Sequence, residues 1–286
     1  MSDECLKAKR GDEIPLDPRF DVLLTGKQHI SFSELRNWAE CSWRHKLFFV
    51  KKIGVNEPSP YLDFGTAIHA SCEKFLKTRV IDVPLAMEIL INAWKEHGAA
   101  GVKGFEPEML EKYLDEAEGI LEDLPEYFDK TFPGWEYVDA EHALYEQILT
   151  KPYAFKGFID GIIRVPGKRG KFVYWLIDWK SSSRGWFKEK RMDKLTHAQL
   201  ILYKNYWTAK MSDINPKDVK CGFVILVRSA KPGKHCNLFK LSVGAVSTER
   251  ALKIVTNMVT AIGKGIAVKN RYSCTYCQYK DTEFCK

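Results

Sequence analysis

No apolar run in the 286 residues approaches the roughly 20 needed to cross a bilayer as a helix, which excludes a helical membrane span. The N-terminus is charged and lacks the apolar stretch of a secretory signal, so an intracellular, cytoplasmic location is expected. No Gly-x-x-x-x-Gly-Lys-[Ser/Thr] loop occurs, which excludes a built-in motor of the phosphate-loop type. There is no internal repeat and no low-complexity tract, so solenoid and fibrous architectures are excluded. A large excess of either charge is also missing. Lysine and arginine number 44 against 37 acidic residues, a net charge of +7. That excess suits a polyanionic partner without requiring one, because modest net charge also keeps proteins soluble.

What the chain does have is core-forming material. Hydrophobic residues make up 45% and aromatics 13%, enough for one large domain or two modest ones. It also has eight cysteines. In a reducing compartment these are not expected to form a disulfide framework, and clustered ones read as metal ligands. Cys72, Cys221 and Cys236 stand in apolar or strand-like stretches and read as buried thiols. Cys5 falls in a polar, proline-containing lead-in spanning 1-28.

Ser31 and Glu34 have capping-box spacing and open a helix with an apolar stripe at Leu35, Trp38 and Ala39, ending near Cys41 and Trp43. A second helix is predicted from Gly65 or Thr66 to Leu76, and helix throughout about 84–130. Within the latter, Glu108 to Phe128 has the pattern of an ordinary amphipathic packing helix. Residues 137–149, 153–165, 172–180 and 220–228 are rich in β-branched and aromatic side chains and read as strands. Phe172 to Trp179 is almost continuously apolar, as in a strand covered on both faces. Helices are predicted at about 196–210 and 248–263. The class is α/β: a helical N-terminal part, a mixed sheet with a crossover helix, and a cysteine-bearing end.

The most informative stretch is Leu176-Ile177-Asp178-Trp179-Lys180. Asp178 and Lys180 are two apart on a strand, so their side chains share a face. Asp160 lies on the preceding predicted strand, and the turn between them is Gly167-Lys168-Arg169-Gly170. The midpoint of 160 and 178 is position 169, inside that turn. A regular hairpin therefore sets the two aspartates opposite one another, with Cβ atoms roughly 5 Å apart. Carboxylates that close repel unless a cation lies between them or one is protonated. A hard divalent ion such as magnesium meets that need. Lys180 can then orient or deprotonate a water, or offset charge on a phosphorane-like transition state. Taken alone, the Asp-x-Lys triplet is equally an ion pair at a strand end.

Asp160 followed after a turn by Asp178-Trp179-Lys180 resembles the core of the PD-(D/E)XK nuclease superfamily, in particular its RecB-like branch. Gly65-Thr66-Ala67-Ile68-His69 is similar to that branch's upstream helix-borne histidine. Gln199-Leu200-Ile201-Leu202-Tyr203 is similar to its Gln-x-x-x-Tyr, whose spacing puts both side chains on one helix face. The resemblance covers about 65 to 230. It implies a restriction-endonuclease-like mixed central sheet flanked by helices, with a helical insertion at 80-135 within a core of 65-265. His69, Asp160, Asp178 and the Trp179 carbonyl become expected ligands of Mg2+ or Mn2+, and an imidazole among carboxylates admits manganese comfortably. Lys180 becomes the expected catalytic lysine, with Gln199 and Tyr203 positioning the site or the DNA backbone. Glu141 is an accessory acidic residue or a solvated strand charge.

Cys274-Thr275-Tyr276-Cys277 with Cys285 places three cysteines in the C-terminal segment 266-286. The best fourth ligand is Cys41, in the helical segment 29-64. One cysteine before the core and three after it resembles the iron–sulfur nucleases, among them the AddB-type helicase-nucleases and the CRISPR-associated adaptation nucleases. That resemblance implies a structural 4Fe-4S cluster stapling the chain ends. Seven residues separate Cys277 from Cys285, more than is common in that group, and zinc stands as the alternative.

The loop after Lys180 offers Ser181, Ser182, Arg184, Trp186, Lys188, Lys190 and Arg191 for phosphate contact and base stacking, or is simply solvated. Lys46, Lys51 and Lys52 make a second basic patch beside Cys41. The reading implied is a metal-dependent DNA exonuclease acting on single-stranded or frayed ends. It would work alone or with recombination or helicase partners, in a bacterial or phage setting. An endonuclease of the same superfamily, or a non-catalytic nucleic-acid-binding module with a structural zinc, are the alternatives.

Overall fold

The near-continuous apolar run at 172–179 forms the middle of a sheet, because only a strand covered on both faces can hide side chains pointing both ways. The computed structural model describes residues 14–54 and 57–286; Cys5 and the first part of the lead-in lie outside the described residues. The chain begins with a short strand β1 (His29–Ser31), helix α1 (Phe32–Glu40), a turn of helix α2 (Ser42–His45) and a π-helical turn (Lys46–Val50). Three helices follow: α3 (Pro60–Thr78), α4 (Val83–Ala99) and α5 (Pro107–Thr131). Strands β2 (Glu136–Gln147), β3 (Ala154–Pro166) and β4 (Phe172–Ser182) come next, then α6 (Lys188–Arg191) and α7 (Lys194–Lys210). The chain closes with β5 (Val219–Val227), β6 (Cys236–Leu241), α8 (Ala245–Gly263) and an irregular cysteine-bearing tail.

The strands form one mixed sheet with helices on both faces. Trp175, Ile177 and Trp179 of β4 pack with α3, α4 and α5, while Leu176 packs with α1, α7 and α8. Strand β3 pairs with antiparallel β2 from Ala154 to Arg164. A strand has two edges, so its other neighbours share the remaining one: antiparallel β4 at Gly161–Pro166 and parallel β1 at Ala154–Lys156. Between them, residues 157–160 pair with neither β1 nor β4, and the edge opens into a fork. Beyond β4 the sheet continues through parallel β5, reached by the α7 crossover, to antiparallel β6.

The helix expected throughout 84–130 is two helices. The chain breaks at 100–106, where Gly101 and Gly104 take left-handed backbone angles that a side chain resists. Strands β1 and β6 escape sequence pattern for different reasons. β1 has three residues, too few to display a period, and β6 buries only Cys236 fully and shows no regular alternation. Half of the capping box forms. Ser31 Oγ accepts from the Glu34 amide at 3.2 Å, but the Glu34 carboxylate is buried and accepts from His45 Nε2 at 3.0 Å. Among the described residues no helix is long and apolar enough to cross a membrane.

Candidate active site

The site lies in the fork. The β3–β4 register ends at Gly161 opposite Ile177, so the next pair in register is Asp160 opposite Asp178, as the hairpin midpoint predicts. Both aspartates are buried, and the Trp179 amide donates to Asp160 Oδ2 at 3.0 Å. Asp178 and Lys180 share a face and form an ion pair of 2.6 Å. Helix α3 brings His69 to the same place. Its Nε2 donates to the Trp179 carbonyl at 3.1 Å, and its Nδ1 lies 3.5 Å from Asp160 Oδ2. In a neutral imidazole with Nε2 protonated, Nδ1 is an acceptor, and it faces a carboxylate oxygen. Two acceptors so placed need a proton or a cation shared between them. Metal-binding histidines are oriented in this way, by donating their second ring nitrogen to a carbonyl.

Glu141 completes the group. It sits on β2 across from Asp160, between the paired residues Ala140↔Gly161 and His142↔Ile159. His69, Glu141 and Asp160 each offer a ligand atom within 4.8 Å of the others. Glu141 has φ +50°, a left-handed conformation that costs a non-glycine residue roughly 1–3 kcal/mol and that gathers at functional sites. Two oxygen donors and one nitrogen suit magnesium or manganese. Asp178 is outside this tight trio, drawn to Lys180 instead.

A pocket of about 820 Å³ opens over the fork and is lined by His69, Asp160, Asp178, Lys180, Gln199 and Tyr203 together. Gln199 Nε2 donates to the Tyr203 hydroxyl at 3.4 Å, one helical turn apart on α7. Gly157 makes room for that ring: a Cβ there would stand 2.6 Å from Tyr203 Cε1. A Cβ at Gly65, on the His69 face of α3, would meet no atom within 4 Å, so packing does not explain that glycine.

The loop after Lys180 divides. Ser181, Trp186 and Lys190 line the pocket, whereas Arg184 and Arg191 line a separate recess with Trp186. Ser182 is turned to the Gly185 carbonyl, and Lys188 is exposed on α6. Trp186 is buried against Phe223 and Phe239, because β5 and β6 supply an apolar seat for its ring; the exposed aromatic of the loop is Phe187. Sequence reasoning missed a second wall made by Lys27, His29, Ser31, Ser33, Arg36 and Lys156. The short strand β1 carries that wall into the fork, and only its capping serine was legible. Cations crowd there. Burial, then Lys156 and Lys27, push the His29 imidazole down to about 4. Burial, then Arg36, lower Lys190, with Lys180 a smaller cause in the same direction.

At the other end of α1, Cys41 and the tail cysteines Cys274, Cys277 and Cys285 line one small cavity. The Arg44 and Asn270 amides donate to Cys41 Sγ at 3.5 and 3.4 Å. Cys72, Cys221 and Cys236 are buried elsewhere, and burial raises each thiol.

A buried acidic fork with a lysine beside it, at the open end of a mixed sheet, defines a class of phosphodiester-cleaving proteins. The model of the PD-(D/E)XK nuclease superfamily matches residues 29–283, and the chain belongs to that superfamily. A crystal structure described as a "Putative exonuclease" from Eubacterium rectale is 14% identical, covers 88% of each chain and superposes with a TM-score of 0.56, a likeness of fold. The crystal structure of SSO0001, 12% identical over 88% of this chain and 84% of that one, has a TM-score of 0.39 and carries no argument. No curated protein matches the chain.

Proposed function

We propose that the protein is a divalent-metal-dependent deoxyribonuclease that works as an exonuclease on single-stranded or frayed ends. The observation that carries this reading is the convergence of His69, Glu141 and Asp160 beside the Asp178–Lys180 pair. His69, Glu141 and Asp160 would hold Mg2+ or Mn2+, with Asp178 and the second lone pair of the Trp179 carbonyl available at its border. When bound, the ion supplies Lewis acidity to the phosphoryl oxygens. The Lys180 ammonium, fixed in place by Asp178, orients the attacking water by hydrogen bonding and offsets charge that develops on the phosphoryl oxygens. Water oxygen bonds to phosphorus in line as the strand's ester oxygen leaves, and the proton the water loses passes through solvent to that leaving oxygen. Gln199 and Tyr203 brace the scissile phosphate, and the cationic walls neutralise its neighbours.

The cysteine cavity would hold a structural 4Fe-4S cluster that ties the tail to α1. The purified protein should degrade end-labelled linear single strands with Mg2+ or Mn2+ and leave closed circles intact. Cleavage of circles would establish the endonuclease alternative, and binding without any cleavage would establish the non-catalytic one. Visible absorption and iron content distinguish the cluster from zinc.

A further inference from the structure

The chain's basic surplus is not spread evenly. Residues 41–52 and 264–286, which enclose the cysteine cavity, hold nine basic and two acidic residues, a surplus equal to the +7 of the whole chain. The remaining residues are electrically balanced. In the same module Tyr272 is 99% exposed and Tyr276 is 97% exposed. Large rings left wholly in water are poor choices for stability, and neither packs on a core. Half-buried Trp43 lines the cysteine cavity, with Lys46 and Lys269 each 5.7 Å from its ring centroid. Its indole nitrogen donates to the Phe284 carbonyl at 3.0 Å, so this ring is fixed against the tail.

The module is joined to the pocket. Helix α1 presents Ser33 and Arg36 to the pocket and ends at Cys41, a path of about 12 Å at 1.5 Å per residue. Lys27, which lines the pocket, reaches to 5.3 Å from the Phe49 ring on the π-helical turn, and Lys52 donates to the Thr25 carbonyl at 3.0 Å.

We infer that the outer face of the cysteine module is a docking platform for single-stranded nucleic acid, with Tyr272 and Tyr276 stacking on bases several nucleotides from the scissile phosphate. The inference rests on the nuclease reading above. The occupant follows from charge complementarity and chemistry: a polyanion bearing flat π-faces matches exposed rings set in a basic field. At about 3.4 Å per stacked nucleotide, the distance along α1 corresponds to roughly four nucleotides. A strand shorter than that fills the pocket without reaching the tyrosines.

The test is a binding titration of fluorescein-labelled oligothymidylates of about two and about sixteen nucleotides, with no divalent metal added so that cleavage is prevented. The proteins compared are wild type, Tyr272→Ala/Tyr276→Ala and Tyr272→Phe/Tyr276→Phe, each with cysteine-bound metal content checked. The platform predicts that the alanine pair weakens binding of the long strand about tenfold or more. The short strand binds all three alike, and the phenylalanine pair matches wild type on both. Equal affinity of wild type and the alanine pair for the long strand, with short-strand cleavage in Mn2+ retained, overturns the platform but leaves the nuclease reading standing; the patch would then face a protein. A wild type that binds neither strand and cleaves neither overturns both.

Discussion

The acidic fork and the cysteine cavity each join segments far apart in sequence, but they are held differently. The fork is fixed by the β2–β3–β4 register and by a core buried on both faces of the sheet. The cavity is backed by a small cluster, with Leu47, Tyr279 and Cys285 as its buried members and Trp43, Phe48, Ile53 and Cys277 packed against it. The fork's geometry therefore belongs to the fold. On the reading that its thiols hold a metal group, the cavity's geometry depends on that group, since a bound group contributes folding free energy where apolar burial is slight.

The largest expected effect separates chemistry from stability at the fork. Lys180→Ala should lower turnover by about 10²–10³, the usual worth of a placed group that stabilises transition-state charge, with the thermal midpoint little changed. Cys285→Ala should do the reverse. It should lose bound metal and visible absorption and weaken the tail by about 2–5 kcal/mol, the range for removing a native cross-link. Limited proteolysis should then cut the tail first while the sheet stays protected. A third substitution probes how closely the fork is fitted. Gly157→Ala displaces the Tyr203 ring and should reduce kcat/KM by about ten- to a hundredfold, as small misplacements do.

Gly65→Ala sharpens the contrast between folding and function. The added methyl meets nothing in the protein, so the helix should gain up to about 1 kcal/mol. Turnover should nonetheless fall if substrate approaches α3 closely at that point. The smallest effect concerns pH. His29 is held neutral, its folded value near 4 lying below the ordinary 6.5. Its contribution to stability is complete above pH 6.5 and is lost as pH falls toward 4, because the unfolded chain takes up the proton first. Urea melts at pH 7 and pH 5 should show a loss that His29→Gln reduces.

The fork was legible because its information is local. A turn midpoint and a two-residue strand period set Asp160, Asp178 and Lys180 in relation, and helical spacing of four did the same for Gln199 and Tyr203. The second wall was not legible. Lys27, His29, Arg36 and Lys156 meet only through the parallel pairing of β1 with β3, a contact across about 125 residues that no periodicity announces. Glu141 carried a weak signal as an acidic residue on an apolar-patterned strand. Its left-handed backbone, which the sequence does not display, goes with its place opposite Asp160. Trp186 read as an exposed stacking ring because its neighbours are polar, whereas Phe223 and Phe239, distant in sequence, bury it.

The central claim is that the fork grips a divalent ion through His69, Glu141 and Asp160 while Lys180 serves the chemistry. Mn2+ binding to the wild type, Asp160→Asn and Lys180→Ala, followed by calorimetry, tests it most directly. The account predicts that Asp160→Asn loses affinity about tenfold or more while Lys180→Ala still binds. An Asp160→Asn protein that takes up Mn2+ as tightly as the wild type would contradict it.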